Sequence, residues 1–401
     1  MSLDHGSSLQ ILTRRLVAHA LDASPMTVSE LGAHTGMAER NIDVAVAELQ
    51  HEGWIVLDER IGSGRKLRLA TDTAYVLGVD VGGTKVATAL ADARGKLVAE
   101  WTEPTDPRGS THVLDQIGRL AQVMTESAGC EAGSIRSVVA GFPGSIDPVT
   151  HRIALVPNIR GLDGLDVRKE LSYRFSGAIA VENDVNLAAL GEVANGCAQG
   201  RTDVAFVALG TGTGLGLVLD GRLVRGASGG AGEIAYLPIA ADTSSPEALR
   251  VGAFEHDAGS ITMLRRYRSK GDTSVNSVRE VFERLNGGDS VAGEVLDATA
   301  RSVALAITAL QAILDLDLIV LGGSIGVRPE LVERVQLEIG KVFARPVQIA
   351  ASALGSRAGL IGAVSTAAKN LRCHVFGSPV PQADSLWPVV FSALGQPTVS
   401  D

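Results

Sequence analysis

Cysteine is scarce: Cys130, Cys197 and Cys373 are the three in 401 residues, and they lie far apart. That spacing leaves neither a disulfide framework nor a C-x-x-C metal clip, and a reducing cytoplasm fits it best. Positive charge is short as well, with 36 Lys and Arg against 45 Asp and Glu and a formal net charge of −9. A globally basic nucleic-acid coat is excluded, whereas one local binding patch is not. No stretch approaches the roughly 18 uninterrupted apolar residues of a membrane span. The start, Met1-Ser2-Leu3-Asp4, lacks a basic segment followed by an apolar run. Export and membrane insertion are therefore not expected, and the predicted location is the cytoplasm.

What is present suggests more than one domain. At roughly 150 residues per domain, 401 residues make two or three. With 45% hydrophobic and 20% charged residues the chain can bury substantial cores. Forty-six glycines, well above the usual share of roughly 7%, ask for many tight turns.

Residues 1–70 read as a small module. Leu9, Leu12, Leu16, Val17 and Ala20 recur at the spacing of one buried helical face, Pro25 breaks the pattern, and Thr27 to Leu31 restarts it. After Gly36 a third run carries Ile42, Ala45, Val46 and Leu49. Trp54 to Leu57, the Gly62-Ser63-Gly64 turn and Lys66 to Leu69 then form a two-stranded wing. This winged helix-turn-helix suits operator DNA, with Arg40 and Asn41 opening the recognition helix and Arg65 and Lys66 opening the returning wing strand. The module itself holds seven Lys and Arg against nine Asp and Glu, so the reading leans on where its cations lie. Winged helices also serve as protein-docking modules, and that alternative stays open.

Residues 71–75 read as a linker, after which strands alternate with glycine-rich turns. Val76 to Val81 leads into Gly82-Gly83-Thr84-Lys85 and a second strand, and Val204 to Leu209 leads into Gly210-Thr211-Gly212-Thr213-Gly214 and another. Two copies predict two related lobes facing one cleft. Glycine beside threonine lets backbone N–H groups and hydroxyls approach phosphate oxygens. Asp80 stands where a carboxylate holds Mg²⁺ through water, and Ala208 is at the equivalent place in the second copy. That asymmetry suits a single nucleotide between unlike lobes.

Seven motifs then stand in order: Asp80-Val-Gly-Gly-Thr-Lys85, Gly141-Phe-Pro-Gly144, Val156-Pro-Asn158, Val181-Glu-Asn-Asp-Val-Asn186, Gly210-Thr-Gly-Thr-Gly214, Ala231-Gly-Glu-Ile234 and Leu321-Gly-Gly-Ser324. In these the chain resembles the ROK family (repressors, open reading frames, sugar kinases) over essentially its whole length, in the branch that places a winged helix-turn-helix ahead of the kinase-like fold. The resemblance implies an α/β, actin-like two-lobed fold: a first lobe over 76–183 with a returning helix near 357–371, a second over 184–356, and a tail over 372–401. It implies that Asp184 is the base for a sugar hydroxyl, and that Asn158, Asn183, Glu233 and Glu255 bind sugar. It also implies that Gly322 and Gly323 contact the adenosine of a nucleotide, with Mg-ATP as candidate cofactor. Read by itself, Asp184 also suits an N-cap for a helix over Val185 to Val193.

One motif departs from the family. Its zinc-binding His and three Cys correspond here to Tyr236, Pro246, Ala248 and Ala253, none of which ligates zinc in the usual N/S manner. No structural zinc is expected, and the loop from Ala240 to Gly252 is expected to be mobile. The leading reading is a sugar-responsive regulator, in the sense of a repressor, acting as a homodimer or higher homo-oligomer on operator DNA with a sugar or sugar-phosphate effector. An ATP-dependent sugar kinase and a bifunctional protein remain as alternatives.

Overall fold

Thr27 and Glu30 fix where the second helix begins. The Thr27 hydroxyl accepts the Glu30 N–H at 3.2 Å while the Glu30 carboxylate accepts the Thr27 N–H at 2.7 Å. This reciprocal cap satisfies two donors that a helix end otherwise leaves open. The helix Val28–Thr35 stops at Gly36, whose φ of +70° suits a residue without Cβ. Around it the computed structural model, which describes residues 5–58, 65–70, 74–156, 158–239 and 243–376, sets helices His5–Ala23 and Glu39–His51. Strands Ile55–Leu57 and Leu67–Leu69 pair antiparallel to complete the module. Ile42, Ala45, Val46 and Leu49 form the buried face of the third helix, at the predicted spacing. The Gly62 to Gly64 turn, Thr71 to Thr73 of the linker and residues 377–401 of the tail lie outside the described residues.

Two five-stranded sheets follow, and their strand orders match. The first runs Leu97–Pro104, Lys85–Asp92, Tyr75–Val81, Ile135–Phe142, Ala178–Asn183, and the second runs Arg222–Leu223, Thr213–Leu219, Val204–Leu209, Leu318–Gly322, Ile349–Ala351. In both, the first two neighbouring pairs are antiparallel and the last two parallel. The duplication read from the two Gly/Thr turns is thus a duplication of whole sheets.

The last strand of each sheet feeds a helix that packs on the other sheet. Asp184–Asn195 leaves the first sheet and lies on Val204–Leu209 and Thr213–Leu219, while Ala358–Phe376 leaves the second and lies on Tyr75–Val81 and Ile135–Phe142. These two helices cross at backbone distance. A Cβ on Gly191 would stand 2.2 Å from the Ala358 carbonyl oxygen, and one on Gly362 would stand 1.8 Å from that of Leu187. Only glycine permits so close a crossing. The same core continues into the N-terminal module, joining Val17, Leu21, Leu31 and Leu49 to Ile361, Val364 and Leu371.

Several local expectations are corrected. The segment expected to be a mobile loop over Ala240 to Gly252 contains a helix, Pro246–Val251, because Ser245 caps it by accepting the Ala248 N–H at 3.2 Å and Pro246 is preset for its first position. Residues 372–376, assigned to a tail, continue the helix Ala358–Phe376. Gly323 opens a single helical turn, Gly323–Gly326, and not a plain turn. The cap of the helix Asp184–Asn195 is Asn183, whose side-chain oxygen accepts the Asn186 N–H at 2.9 Å, and Asp184 is its first residue. Helix Ser290–Leu314 is long and apolar enough to cross a membrane by composition alone, yet Val295, Leu296, Val303 and Ile307 are buried in the core of the second lobe.

Candidate functional site

Register brings the first carboxylates into one row. Asp80 lies opposite Gly141 on the next strand, and Gly141 lies opposite Glu182 on the one beyond. A Cβ on Gly141 would meet Leu187 at 2.8 Å and the Asp184 Cα at 3.5 Å, so the missing side chain lets the Asp184 helix settle over the strand ends. Asp80 and Asp184 are both half-buried there. Burial, and secondarily the charge of Asp80, pushes the Asp184 carboxyl up to about 7. Burial likewise raises Asp80 to about 6, against the pull of Lys85. A carboxyl poised near neutrality is matched to taking a proton from a hydroxyl.

Both glycine turns open on this place. In the first, the Gly82 N–H donates to the Lys85 carbonyl at 2.8 Å, and Thr105 pins the turn from outside, its hydroxyl donating to Gly82 O at 2.7 Å and its N–H to Thr84 O at 3.1 Å. Gly83 is held against Asn158, whose Cβ would lie 2.9 Å from an added methyl. In the second, the Gly210 N–H donates to Gly212 O at 3.0 Å, Thr211 forms the bend, and Gly214 sits under Val185 with 2.8 Å to a notional Cβ. Val185 follows Asp184, so the base candidate lies beside the second turn and Asp80 beside the first.

The Gly322-Gly323 element, expected to contact a nucleoside, packs beside a cavity. Gly323, at φ +77°, turns under the Leu209 carbonyl, and Ser324 lies 3.5 Å from a notional Cβ on Gly210, which brings the Gly322-Gly323 element against the second turn. A cavity of about 340 Å³ opens behind it, lined by Ser260, Asn276, Phe282, Ser324 and Arg328 among others. The Arg328 guanidinium stacks 5.3 Å from the Phe282 ring centre. The Ser260 N–H donates to Gly210 O at 3.1 Å, tying the cavity wall to the second Gly/Thr turn.

The sugar-side residues divide into two groups. Asn183 is held by its cap and by its amide donating to Gly144 O at 3.0 Å. Glu233 and Glu255 lie within electrostatic reach of each other. Burial and then Glu255 raise the Glu233 carboxyl, and burial raises Glu255. Glu255 also accepts the Thr213 N–H at 2.8 Å, which ties it to the second Gly/Thr turn. Where the family carries zinc ligands, Tyr236 is half exposed, Pro246 opens a helix, and the methyls of Ala248 and Ala253 are buried. Local order there comes from a capped helix and apolar packing. Among the described residues no cluster of three or more His, Cys, Asp or Glu is arranged for a metal. Asp80 fits the sparser needs of Mg²⁺, which takes one or two carboxylates and completes its shell with water and substrate phosphate.

Sequence reasoning missed Glu182 and Arg225. The Arg225 guanidinium, from the second lobe, donates to Glu182 at 2.6 Å, while the other Glu182 oxygen accepts Asn183 N–H at 3.0 Å and the Asn186 amide at 2.9 Å. Glu182 thus anchors the Asn183-Asp184 segment across the cleft. No sequence signal links positions 43 residues apart on different sheets.

In the N-terminal module Arg40 is exposed and Asn41 half-buried at the start of the third helix, and Arg65 is exposed before the return strand. Lys66 is paired with Glu30 at 3.4 Å, so the wing cation is partly neutralised by the capping residue of the second helix.

Two like sheets, a pair of Gly/Thr turns and carboxylates at the strand ends define a two-lobed, kinase-like protein of the actin type. Residues 76–370 match the ROK family, and the chain belongs to that family. It is 28% identical over 317 residues to the glucokinase of Halalkalibacterium halodurans, covering 73% of this chain and 94% of that one. A ROK family glucokinase from Streptomyces griseus, solved in complex with glucose and AMPPNP, superposes with a TM-score of 0.61 at 26% identity, covering 73% of this chain and 99% of its own. A ROK family transcriptional regulator, homologous to the E. coli MLC protein, shares the fold with a TM-score of 0.72 at 18% identity, covering 94% of this chain and 98% of its own.

Proposed function

We propose that this chain is a sugar-responsive transcriptional regulator, in the sense of a repressor. Its winged helix binds operator DNA and its kinase-like cleft binds a sugar or sugar phosphate. The observation that carries the reading is the N-terminal module. The family match begins at residue 76, and ahead of it stands a capped helix-turn-helix whose third helix offers Arg40 at an exposed N-terminal end. That end is the part of such a helix that reaches base edges in the major groove. A cytoplasmic homodimer would present two such helices to half-sites about one helical turn apart or a multiple of it. Sugar hydroxyls would be held by Asn158, Asn183, Asp184, Glu233 and Glu255, and the phosphates of a nucleotide by the two glycine turns. Mg²⁺, when bound beside Asp80, supplies charge neutralisation to those phosphates.

The kinase reading has its own support, since Asp184 has the protonation behaviour of a general base and both phosphate turns are intact. Against efficient turnover stand Tyr236 at the position of the sugar-orienting His and the loss of the zinc staple. Phosphoryl transfer depends mainly on alignment, and a misplacement near 1 Å costs on the order of 10²-fold. The test is selection of duplex DNA from a random pool by the full-length chain, with Arg40→Ala and an ADP-coupled sugar assay in parallel. A recovered consensus whose discrimination changes in Arg40→Ala supports the regulator. No enrichment, together with Asp184-dependent ADP release at the roughly 1–100 s⁻¹ typical of kinases, would replace it with the kinase.

A further inference from the structure

A single helix touches both functional ends of the molecule. At the first turn of Ala358–Phe376, Gly359 lies so close to the Asp80 carboxylate that an added Cβ would stand 3.0 Å from its oxygen. Thirteen residues on, Arg372 donates to Asp22 of the helix His5–Ala23 at 2.7 Å. Both side chains are largely shielded, at 10% and 19% exposure, so this pair is screened less by solvent than the open ion pairs elsewhere on the surface. His19, on the same helix as Asp22, feels Arg372 as well: burial first, and then that guanidinium, lowers its imidazole. At roughly 1.5 Å per residue, about 20 Å of helix separates Gly359 from Arg372.

Between its ends the helix has little freedom to slide. Gly78 of the Asp80 strand would place a Cβ 2.7 Å from the Val364 nitrogen, and Gly191 and Gly362 make the backbone crossing with the Asp184 helix. Backbone against backbone has no side-chain rotamers to absorb a shift, so packed elements move together. The helix is therefore gripped by the strand that carries Asp80 and by the helix that carries Asp184, and it ends on the DNA-reading module. A second contact steadies that module, with Arg136 of the first sheet 5.6 Å from the ring centre of Trp54.

Resting on the regulator reading, we propose that Arg372 is the positioning residue through which the cleft sets the placement of the winged helix, with Ala358–Phe376 as the rigid link. Occupancy of the cleft beside Asp80 shifts the first turn of this helix, and the Arg372–Asp22 pair hands the shift to His5–Ala23. The pair need not strengthen DNA binding by itself. Its effect is to make DNA binding answer to the cleft.

The experiment is a double-mutant cycle on the full chain between Asp80→Asn and Arg372→Gln. It reads amide hydrogen exchange over His5–Ala23 and the Kd for a duplex recovered from a random pool. Sites this far apart normally add to within about twofold. The expected result is non-additivity above about threefold in both readouts with Arg372→Gln, and a return to additivity when Arg372→Lys, which keeps the charge, takes its place. A merely structural loss would lower protection in Arg372→Gln regardless of residue 80 and would give additivity, which overturns the proposal. Should Arg372→Gln fold poorly, Asp22→Asn carries the same cycle from the other side of the pair. Mg-ADP serves as the ligand probe: it should change exchange over His5–Ala23 in the wild type and not in Arg372→Gln. Binding of Mg-ADP, seen by thermal shift, without any change at His5–Ala23 in the wild type also overturns it. A chain that passes the cycle by hydrogen exchange but enriches no DNA would keep the link and sink the regulator reading, so the two failures are distinguishable.

Discussion

The two sheets share strand order and turn placement yet differ at the positions that face the cleft. Asp80 of the first corresponds to Ala208 of the second, and Lys85, whose carbonyl accepts the Gly82 N–H, corresponds to Gly212, whose carbonyl accepts the Gly210 N–H. At the next strand both place glycine at the same register, Gly141 opposite Asp80 and Gly322 opposite Ala208, but for different neighbours. Gly141 makes room for the Asp184 helix, and Gly322 for the Phe206 ring, whose nearest atom would be 2.1 Å from a Cβ. Duplication therefore supplies the frame, and a few unlike side chains supply the chemistry. The first lobe carries Asp80, and the second carries Asp184, Glu233, Glu255 and the cavity behind Ser324.

What the lobes share should be the costliest to disturb. Gly362→Ala forces a methyl into the backbone crossing and should destabilise by about 3 kcal/mol or more, seen as a lower denaturant midpoint at unchanged slope. Gly340→Ala is the control, since nothing lies within 4 Å of a Cβ there and the residue is inside the helix Pro329–Val342. It should stabilise by roughly 0.5–1 kcal/mol. Equal effects at the two positions would show that the crossing is not tight.

Making the second lobe resemble the first is the next test. Ala208→Asp adds a half-buried carboxylate with Gly212, not lysine, at the Lys85 position, and should destabilise by about 1–3 kcal/mol. A neutral outcome would mean that the lobes tolerate charge alike.

The carboxyls also predict a pH dependence. Folding raises Asp184 from an ordinary 3.8 to about 7, so between those values the native chain holds more protons than the unfolded one. Stability from this group is therefore lost as pH rises through that window. Asp184→Asn should raise the denaturant midpoint near pH 8 by more than about 1 kcal/mol equivalent and have little effect near pH 4. Destabilisation near pH 8 would contradict the raised value.

The smallest effect belongs to the N-terminal module. Lys66→Ala removes an ion pair with Glu30 that is worth at most a few tenths of a kcal/mol at its exposure. On DNA it should weaken binding to all sequences alike and reduce the salt slope by about 1. A changed sequence preference would assign Lys66 to base reading instead.

Much of this architecture was legible, for physical reasons. Alternation and Gly/Thr turns announce hairpins locally, and a repeat of that pattern announces a repeat of the sheet. The capping box at Thr27 and Glu30 and the buried face of the third helix are equally local signals. The helix exchange was not legible, because it rests on Gly191 meeting Ala358 and Gly362 meeting Leu187 across long stretches of chain. Asn183 and Asp184 are both good caps, and only the observed backbone chooses between them. Helix Pro246–Val251 has a readable start in Ser245-Pro246-Glu247, a capping serine followed by proline at the first helical position. The Glu182–Arg225 and Asp22–Arg372 pairs join distant segments and leave no trace in spacing.

The most direct test of the central claim is a DNA titration of the full-length chain with and without D-glucose, then with a wider sugar panel, on the duplex recovered from the random pool, with Asp184→Asn alongside. The account predicts that at least one sugar shifts the Kd by about 5–150-fold, the usual span of a coupling free energy, and that Asp184→Asn binds the same DNA but loses the shift. Specific DNA binding that no sugar in the panel alters, or a shift that survives Asp184→Asn unchanged, would contradict it.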